Sequence, residues 1–280
     1  MRQVCPFFCI FRWLWNFQGV PVSTKTMLEA RGLSKFYAGI PAVKDVSFTV
    51  KRGEVLGLLG PNGSGKSTTV SMITGLIDPS IGQVLLDGAS ISLSPLEYRA
   101  KLGYVPEEAH LYTYLTGPEY LELIGQLRGV KQDALNEKID AFMRIFGLHD
   151  DRYAQMSAYS KGMRQKILIS AALLHDPEIV VLDEPGSGLD VTSLLVLRTL
   201  VQELASAGKI VIYSSHELEM VERVATDVMI LYDSAVVAHD PVTRLRELMA
   251  LPSLEQVFKK VAVKTDVDQV ARELVETMRL

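Results

Sequence analysis

The sequence predicts an α/β fold: a mostly parallel sheet covered on both faces, with an antiparallel β portion near its start and a helical block inserted in its middle. Three observations carry this. Short β-branched and apolar runs recur at MLEARGLS, VSFTV, EVLGLLG, GQVLLDG and KLGYVP, and again at EIVVLDE, KIVIYSS, DVMILYD and AVVAHD. The later runs alternate with helical spacing, as parallel strands with crossover helices do. Between about Thr116 and His175 strand signals stop, and EYLELIGQLRG, LNEKIDAFMRIFG and RQKILISAALLH carry helical periodicity punctuated by glycine or proline.

Taken in order, residues 1–27 form an apolar extension, residues 28–250 the α/β domain with its helical subdomain at about 109–175, and residues 251–280 a helical tail read from LEQVFKKVA and VDQVARELVETMR. The extension, with CPFFCIFRWLWNF interrupted by Arg12, fits a membrane-surface anchor, a partner-binding segment or a secretory signal. The signal reading is weak, because Arg2 alone supplies an n-region and no small-residue cleavage site follows. The competing reading makes Met27 the natural start. Within the domain, IVVLD and KIVIYSS have the length and β-branched content of strands buried on both faces.

Composition limits the partners. The chain has 280 residues, 48% of them apolar, a net charge of −4 and a pI near 5.8. With no lysine/arginine-rich block, a nucleic-acid partner is not expected. No run reaches the ~18 consecutive apolar residues that span a bilayer. Cys5 and Cys9 both lie in the extension, so the domain has no disulfide framework, which suits a reducing cytoplasm.

The residues between Gly60 and Thr68 read GPNGSGKST, after the apolar run VLGLL and before the helix-compatible KSTTVSMITGLI. Strand, tight glycine turn and helix N-terminus are the parts of a phosphate-binding loop. Gly60, Gly63 and Gly65 let backbone N–H groups close around phosphate oxygens, with the helix dipole adding positive potential, and Pro61, Asn62 and Ser64 complete the nucleotide-binding loop. Lys66 reaches the β- and γ-phosphates, the Ser67 hydroxyl is placed to ligate Mg²⁺, and Thr68 completes the motif. A nucleoside triphosphate is the expected ligand.

Ile179 to Leu182 are four apolar residues ending in Asp183 and Glu184, at the strand edge where α/β sheets place ligands. Asp183 would hold Mg²⁺, which takes few carboxylates and keeps its waters. Glu184 would point to the other side of the strand, free to polarise an attacking water. This pair argues for hydrolysis of the nucleotide.

Further along stand YSKGMRQK (Ser160 to Lys166 within it), SGLD (Ser187 to Asp190) and SSH ending at His216. In this order the set resembles the ATP-binding cassette (ABC) ATPases, the motor subunits of ABC transporters, over roughly Leu28 to Asp240. The resemblance implies a P-loop NTPase (RecA-like) core that hydrolyses ATP with Mg²⁺, and two cassettes facing head to tail with ATP between one phosphate loop and the other's signature motif. Ser160 and Gly162 would then meet the partner's γ-phosphate. The usual signature is LSGGQ, so this chain departs at Tyr159, Lys161 and Met163, and Lys161 adds positive charge near the phosphates. Asp190 would link the two sites, His216 would contact the γ-phosphate, and Tyr37, or Phe36 beside it, would stack on adenine. Glu107 follows GYVP where the family usually has glutamine, and as a carboxylate it can still ligate Mg²⁺.

The resemblance also implies partners: a separate multi-span membrane permease, docked near the Glu107 loop and the helical block, and a second cassette, identical or not. The short helical block, KGMRQK and SLEQVFKKVA resemble the ATPases of ABC-2-type exporters, which places the chain in the cytoplasm, peripheral on the inner face of the membrane. The alternatives are a soluble ABC ATPase of translation or DNA maintenance, and a P-loop kinase or GTP-binding switch. The first usually carries two cassettes or a long coiled coil, and the switch would carry N-K-x-D; none of these is present.

Overall fold

The computed structural model describes residues 27–108 and 111–249, with residues 272, 277 and 278. The apolar extension and both tail helices of the sequence reading lie essentially outside the described residues.

Two sheets share the work. A four-stranded antiparallel sheet runs β2-β1-β4-β5, with β1 at Met27–Tyr37, β2 at Ile40–Lys51, β4 at Ile81–Leu86 and β5 at Ala89–Ser90. A six-stranded sheet runs β10-β9-β3-β8-β7-β6, with β3 at Val55–Leu59, β6 at Leu102–Val105, β7 at Ile179–Asp183, β8 at Ile210–Ser215, β9 at Asp227–Tyr232 and β10 at Ala235–Pro241. β6, β7, β8, β3 and β9 are mutually parallel. The AVVAHD run departs from this, pairing antiparallel with β9 at the sheet edge. The two-residue turn between them explains why: Asp233 and Ser234 have φ of 49° and 65°, the left-handed pair that closes a tight hairpin.

Every residue of β3, β7 and β8 is buried, because strands inside a parallel sheet meet apolar layers on both faces. Val55, Leu59, Val180, Leu182, Val211 and Tyr213 face one core. Leu56, Leu58, Ile179, Val181, Ile210 and Ile212 face the other, which they share with Leu28, Val43, Val46 and Phe48 of the antiparallel sheet. Helix α1 (Lys66–Ile73) lies in that second core through Val70, Met72 and Ile73. It stops well short of the full helix-compatible run, giving way at Gly75, whose φ is +67°.

Between β6 and β7 the chain builds the helical block. Helix α2 (Pro95–Ala100) precedes β6, and α3 (Gly117–Leu127), α4 (Gln132–Ile145) and α5 (Lys161–Leu173) follow it. Thr116 caps α3 with a full capping box, its hydroxyl accepting from the Glu119 N–H while the Glu119 carboxylate accepts from the Thr116 N–H. Leu121, Leu135 and Met143 are fully buried, and each such side chain stabilises by about 1.5–3 kcal/mol. Helix α5 is the tie: Ile167 and Ala171 belong to this helical core, while Leu168, Ile169 and Ala172 belong to a core of the main sheet. Three further helices follow β7: α6 (Val191–Ser206), α7 (Leu218–Val224) and α8 (Val242–Met249). Among the described residues no helix is long and apolar enough to cross a membrane.

At the junction of the helical block and the sheet, His175 Nε2 donates to the Leu102 carbonyl at 3.1 Å, and its Nδ1 is buried without a partner. Burial, followed by the positive charges of Arg128 and Lys138, pushes this imidazole down to about 4 against the opposing Leu102 bond and Asp176. The folded pKa is depressed, so between pH 6.5 and about 4 the unfolded chain takes up a proton that the native chain refuses. Stability is therefore expected to fall as pH drops through that window, and His175→Gln should flatten this part of the curve of denaturation midpoint against pH. An unchanged slope would remove His175 as its source.

Candidate functional site

Three strand ends and one helix N-terminus meet at the C-terminal edge of the parallel sheet. The 60–65 loop leaves β3 there under tight constraint. A Cβ on Gly60 would sit 2.3 Å from Ser64 Oγ and 2.4 Å from the Leu231 carbonyl oxygen. Gly65 has a φ of +104°, and a Cβ there would come within 2.6 Å of the Ala42 carbonyl oxygen. Lys66, nearly buried, folds back to donate to the carbonyls of Gly60 at 2.7 Å and Pro61 at 3.3 Å. Thr69 Oγ1 donates to the Gly65 carbonyl at 2.8 Å and ties the loop to the first turn of α1. That turn has neither a side-chain cap nor an acidic residue, so its N–H groups and dipole are directed at whatever anion lies before them. Pro61, Asn62, Gly63 and Ser67 are exposed along it, Thr68 is half-buried and Ser64 is buried with its Oγ unpartnered.

Asp183 ends β7 beside Ser214 of β8 and is 2% exposed. Burial chiefly raises its carboxyl above the ordinary range, with the charges of Glu107 and Glu184 adding and Ser214 and Lys66 opposing. Although Ser214 lies close enough to act on it, Asp183 Oδ1 and Ser214 Oγ both lack a hydrogen-bond partner. An orphaned hard oxygen within range of two more carboxylates suits Mg²⁺. Among the described residues no three His, Cys, Asp or Glu side chains cluster as a metal cage, so such an ion would draw its other ligands from phosphate and water.

Glu184 departs from the simple alternation expected of a strand. The strand ends at Asp183, and Glu184 takes a φ of +46°, an uncommon conformation for a side-chain-bearing residue. Its carboxylate is buried and engaged: Oε2 lies 2.8 Å from His216 Nδ1 and accepts from Ser215 Oγ at 3.3 Å. The base candidate and the histidine are thus one unit. Tyr104 on β6 reports the same crowding of negative charge, its phenol raised to about 12 by burial, then by Asp183 and Glu107. Glu107 itself is exposed just beyond β6.

A family model described as ABC transporter matches residues 43–187. The chain is 35% identical to the ABC transporter ATP-binding protein NatA of Bacillus subtilis over 226 residues, covering 80% of this chain and 92% of that protein. The chain belongs to the ABC transporter family. It is 34% identical to the ABC-type transporter ATP-binding protein EcsA of B. subtilis, covering 79% of this chain and 90% of EcsA. Likewise, identity to the linearmycin resistance ATP-binding protein LnrL of B. subtilis is 36%, covering 76% of this chain and 68% of LnrL. A solved ATP-binding subunit of an ABC transporter superposes with a TM-score of 0.79 at 32% identity, covering 84% of this chain and 99% of that one. A dimeric bacterial ABC transporter cassette superposes with a TM-score of 0.70 at 25% identity, covering 76% and 98%. As an ABC ATP-binding cassette, the chain is an ATPase coupled to transport.

In this cassette Lys66, Asp183, Glu184, Glu107 and His216 share one neighbourhood, tied by the contacts and charge effects above. The signature residues form a second group, on α5. Ser160 is the N-cap of that helix, its Oγ accepting from the Met163 N–H at 3.2 Å. Asp190 is the N-cap of α6, accepting from the Ser193 N–H and hydroxyl, which hold its carboxyl below the usual range. The 185–190 segment joins the groups, since a Cβ on Gly162 would strike the Gly188 carbonyl oxygen at 2.6 Å. Lys161, expected to bring charge to the phosphates, donates to Ser187 Oγ at 2.7 Å. Tyr37 ends β1 half-exposed, with Lys35 Nζ 5.7 Å from its ring centre, and Phe36 is the less exposed of the two aromatics.

Ser214, Ser215 and Gln165 contact this machinery without having been singled out from sequence. Ser214 and Ser215 stand inside the SSH string, directly before His216. Gln165 stands inside KGMRQK and donates from a buried position to the Pro185 carbonyl at 3.1 Å. A buried, satisfied amide has no signature in a single sequence.

Proposed function

We propose that two of these cassettes, or one and a related chain, close on ATP and power export through a separate membrane permease. The observation that carries the reading is the buried Asp183–Glu184 pair at the end of β7, within electrostatic reach of Lys66 and 2.8 Å from His216. The Gly60–Gly65 backbone and Lys66 hold the phosphates, and Tyr37 stacks on the adenine. Asp183, Ser67 and Glu107 are the residues that would hold Mg²⁺, which when bound neutralises phosphate charge. Glu184 accepts a proton from the attacking water, and His216 fixes the direction of its carboxylate. Water oxygen then bonds to the γ-phosphorus as the bond to the bridging oxygen of ADP breaks. From the opposite cassette, the N-terminus of α5 brings Ser160 and Gly162 to the γ-phosphate, with Asp190 beside it at the dimer seam.

The exposed Tyr112 and Tyr114, clustered with Tyr120 beyond Glu107, offer a permease an aromatic surface. Docking there makes the chain peripheral on the inner membrane face. Export is favoured by the similarity to a protein named for linearmycin resistance. The test is Glu184→Gln with ATP and Mg²⁺, followed by size-exclusion with light scattering. A stable dimer is expected, and a chain that stays monomeric with ATP bound overturns the sandwich.

Glu107 puts a negative charge beside Asp183 where the family's glutamine has none, so closure should depend more steeply on Mg²⁺ here. Glu107→Gln is expected to flatten the Mg²⁺ dependence of ATP hydrolysis and to lower the Asp183 pKa, moving the acid limb of the pH–rate profile down. Unaltered Mg²⁺ dependence would sink this role.

A further inference from the structure

Lys161 occupies a position where a cation is locally unfavourable. It is the first residue of α5, at the positive end of the helix dipole, in a first turn that has no acidic residue to offset it. Its side chain turns away from the helix onto the segment that follows Glu184. Nζ donates to Ser187 Oγ at 2.7 Å. The stem lies across Gly188, whose φ is +80° and where an added Cβ would sit 2.8 Å from Lys161 Cγ and 2.9 Å from Cδ. A hydrogen bond and an ion pair from the same helix reach the same segment: Gln165 Nε2 donates to the Pro185 carbonyl, and Lys166 Nζ lies 3.9 Å from Asp190 Oδ2. Of the three, only the Lys161 contact comes from a position where the LSGGQ pattern has glycine and therefore no side chain.

We propose that Lys161 is a positioning residue for ATP hydrolysis, acting through Ser187 to hold the 185–190 segment and with it Glu184. Glu184 sits at φ +46° immediately before this segment, and the Ser187 N–H donates to the Glu184 carbonyl at 3.1 Å. Fixing Ser187 therefore fixes the turn that aims the carboxylate at His216. This rests on the proposed role of Glu184 as base.

The experiment is steady-state ATP hydrolysis by the full chain carrying Lys161→Met, Ser187→Ala, both together, and Lys161→Arg. Each single change is expected to lower kcat by about three- to ten-fold, the net scale of one solvent-exposed hydrogen bond, with KM for ATP nearly unchanged. The double variant should be no slower than the singles, since both remove the same link. Lys161→Arg, which keeps a donor within reach, should recover most of the rate. Multiplying losses in the double variant, or a raised KM in Lys161→Met with Ser187→Ala silent, would overturn the proposal and leave Lys161 acting on phosphate alone. Glu184→Gln serves as the separate control. If it still hydrolyses ATP, the base assignment has failed. If it does not, and the Lys161 and Ser187 variants show no coupling, only the link has failed.

Discussion

Glu184→Gln is expected to slow ATP hydrolysis by about 10²- to 10⁴-fold, the range a positioned general base supplies, while ATP affinity stays within a few-fold of native. The reason for both halves lies in the surroundings of this side chain. Glutamine keeps the shape and can still meet His216 and Ser215, so the turn at φ +46° has the same neighbours. What it loses is the capacity to take a proton. The phosphate grip rests instead on Lys66 and the glycine loop, which the substitution does not touch. Asp183 gains, because one of the two negative charges that raise its pKa is gone. Single-turnover hydrolysis alongside equilibrium binding of a fluorescent ATP analogue separates the two effects. A variant that binds as before and still hydrolyses at a native rate would move the base elsewhere.

The second large effect is expected at Gly65. Alanine there must adopt φ of +104° and place its methyl 2.6 Å from the Ala42 carbonyl oxygen. The backbone conformation costs about 1–3 kcal/mol for a residue with a side chain. The overlap costs a further 1–3 kcal/mol or so, as over-packing generally does. Against a total stability of about 5–15 kcal/mol this is a severe loss, and the loop can relieve it only by moving off the antiparallel sheet. The N–H groups at the start of α1 then lose their aim. Gly65→Ala should lower the denaturation midpoint and abolish measurable ATP binding together. Gly63→Ala is the milder comparison, since its φ is also positive but an added Cβ meets nothing within 4 Å. Equal effects from the two would mean that the contact with Ala42 does not matter.

How much of this could be read from the chain depended on whether the physical cause was local. Strands β3, β7 and β8 were legible because both-face burial writes itself as an unbroken apolar run. The phosphate loop was legible because its backbone needs glycine at fixed intervals. Helix α2 and strand β5 left no trace, since six and two residues are too few to show a period. The reversal at β10 was hidden in Asp233 and Ser234, a pair that does not announce left-handed backbone as Asn-Gly would. In the site, residue types were visible and their partners were not. Glu184 and His216 were both picked out, yet their pairing joins positions 32 apart through two parallel strand ends. Lys161 was visible as a departure, but its partner is Ser187, across a contact that only the packing of α5 on the 185–190 segment creates.

The touch between Gly65 and Ala42 has one more consequence. Ala42 lies on β2, two residues from Ile40, which pairs across the hairpin with Tyr37. In the proposed reading the aromatic face for the base therefore stands opposite Ile40 and the floor of the phosphate loop on Ala42, two steps or about 7 Å further along β2. That stretch is a ruler. A ligand is measured by the distance between its ring and its phosphates, and a residue inserted between Ile40 and Ala42 would change which lengths of nucleotide fit without altering a single group that touches them.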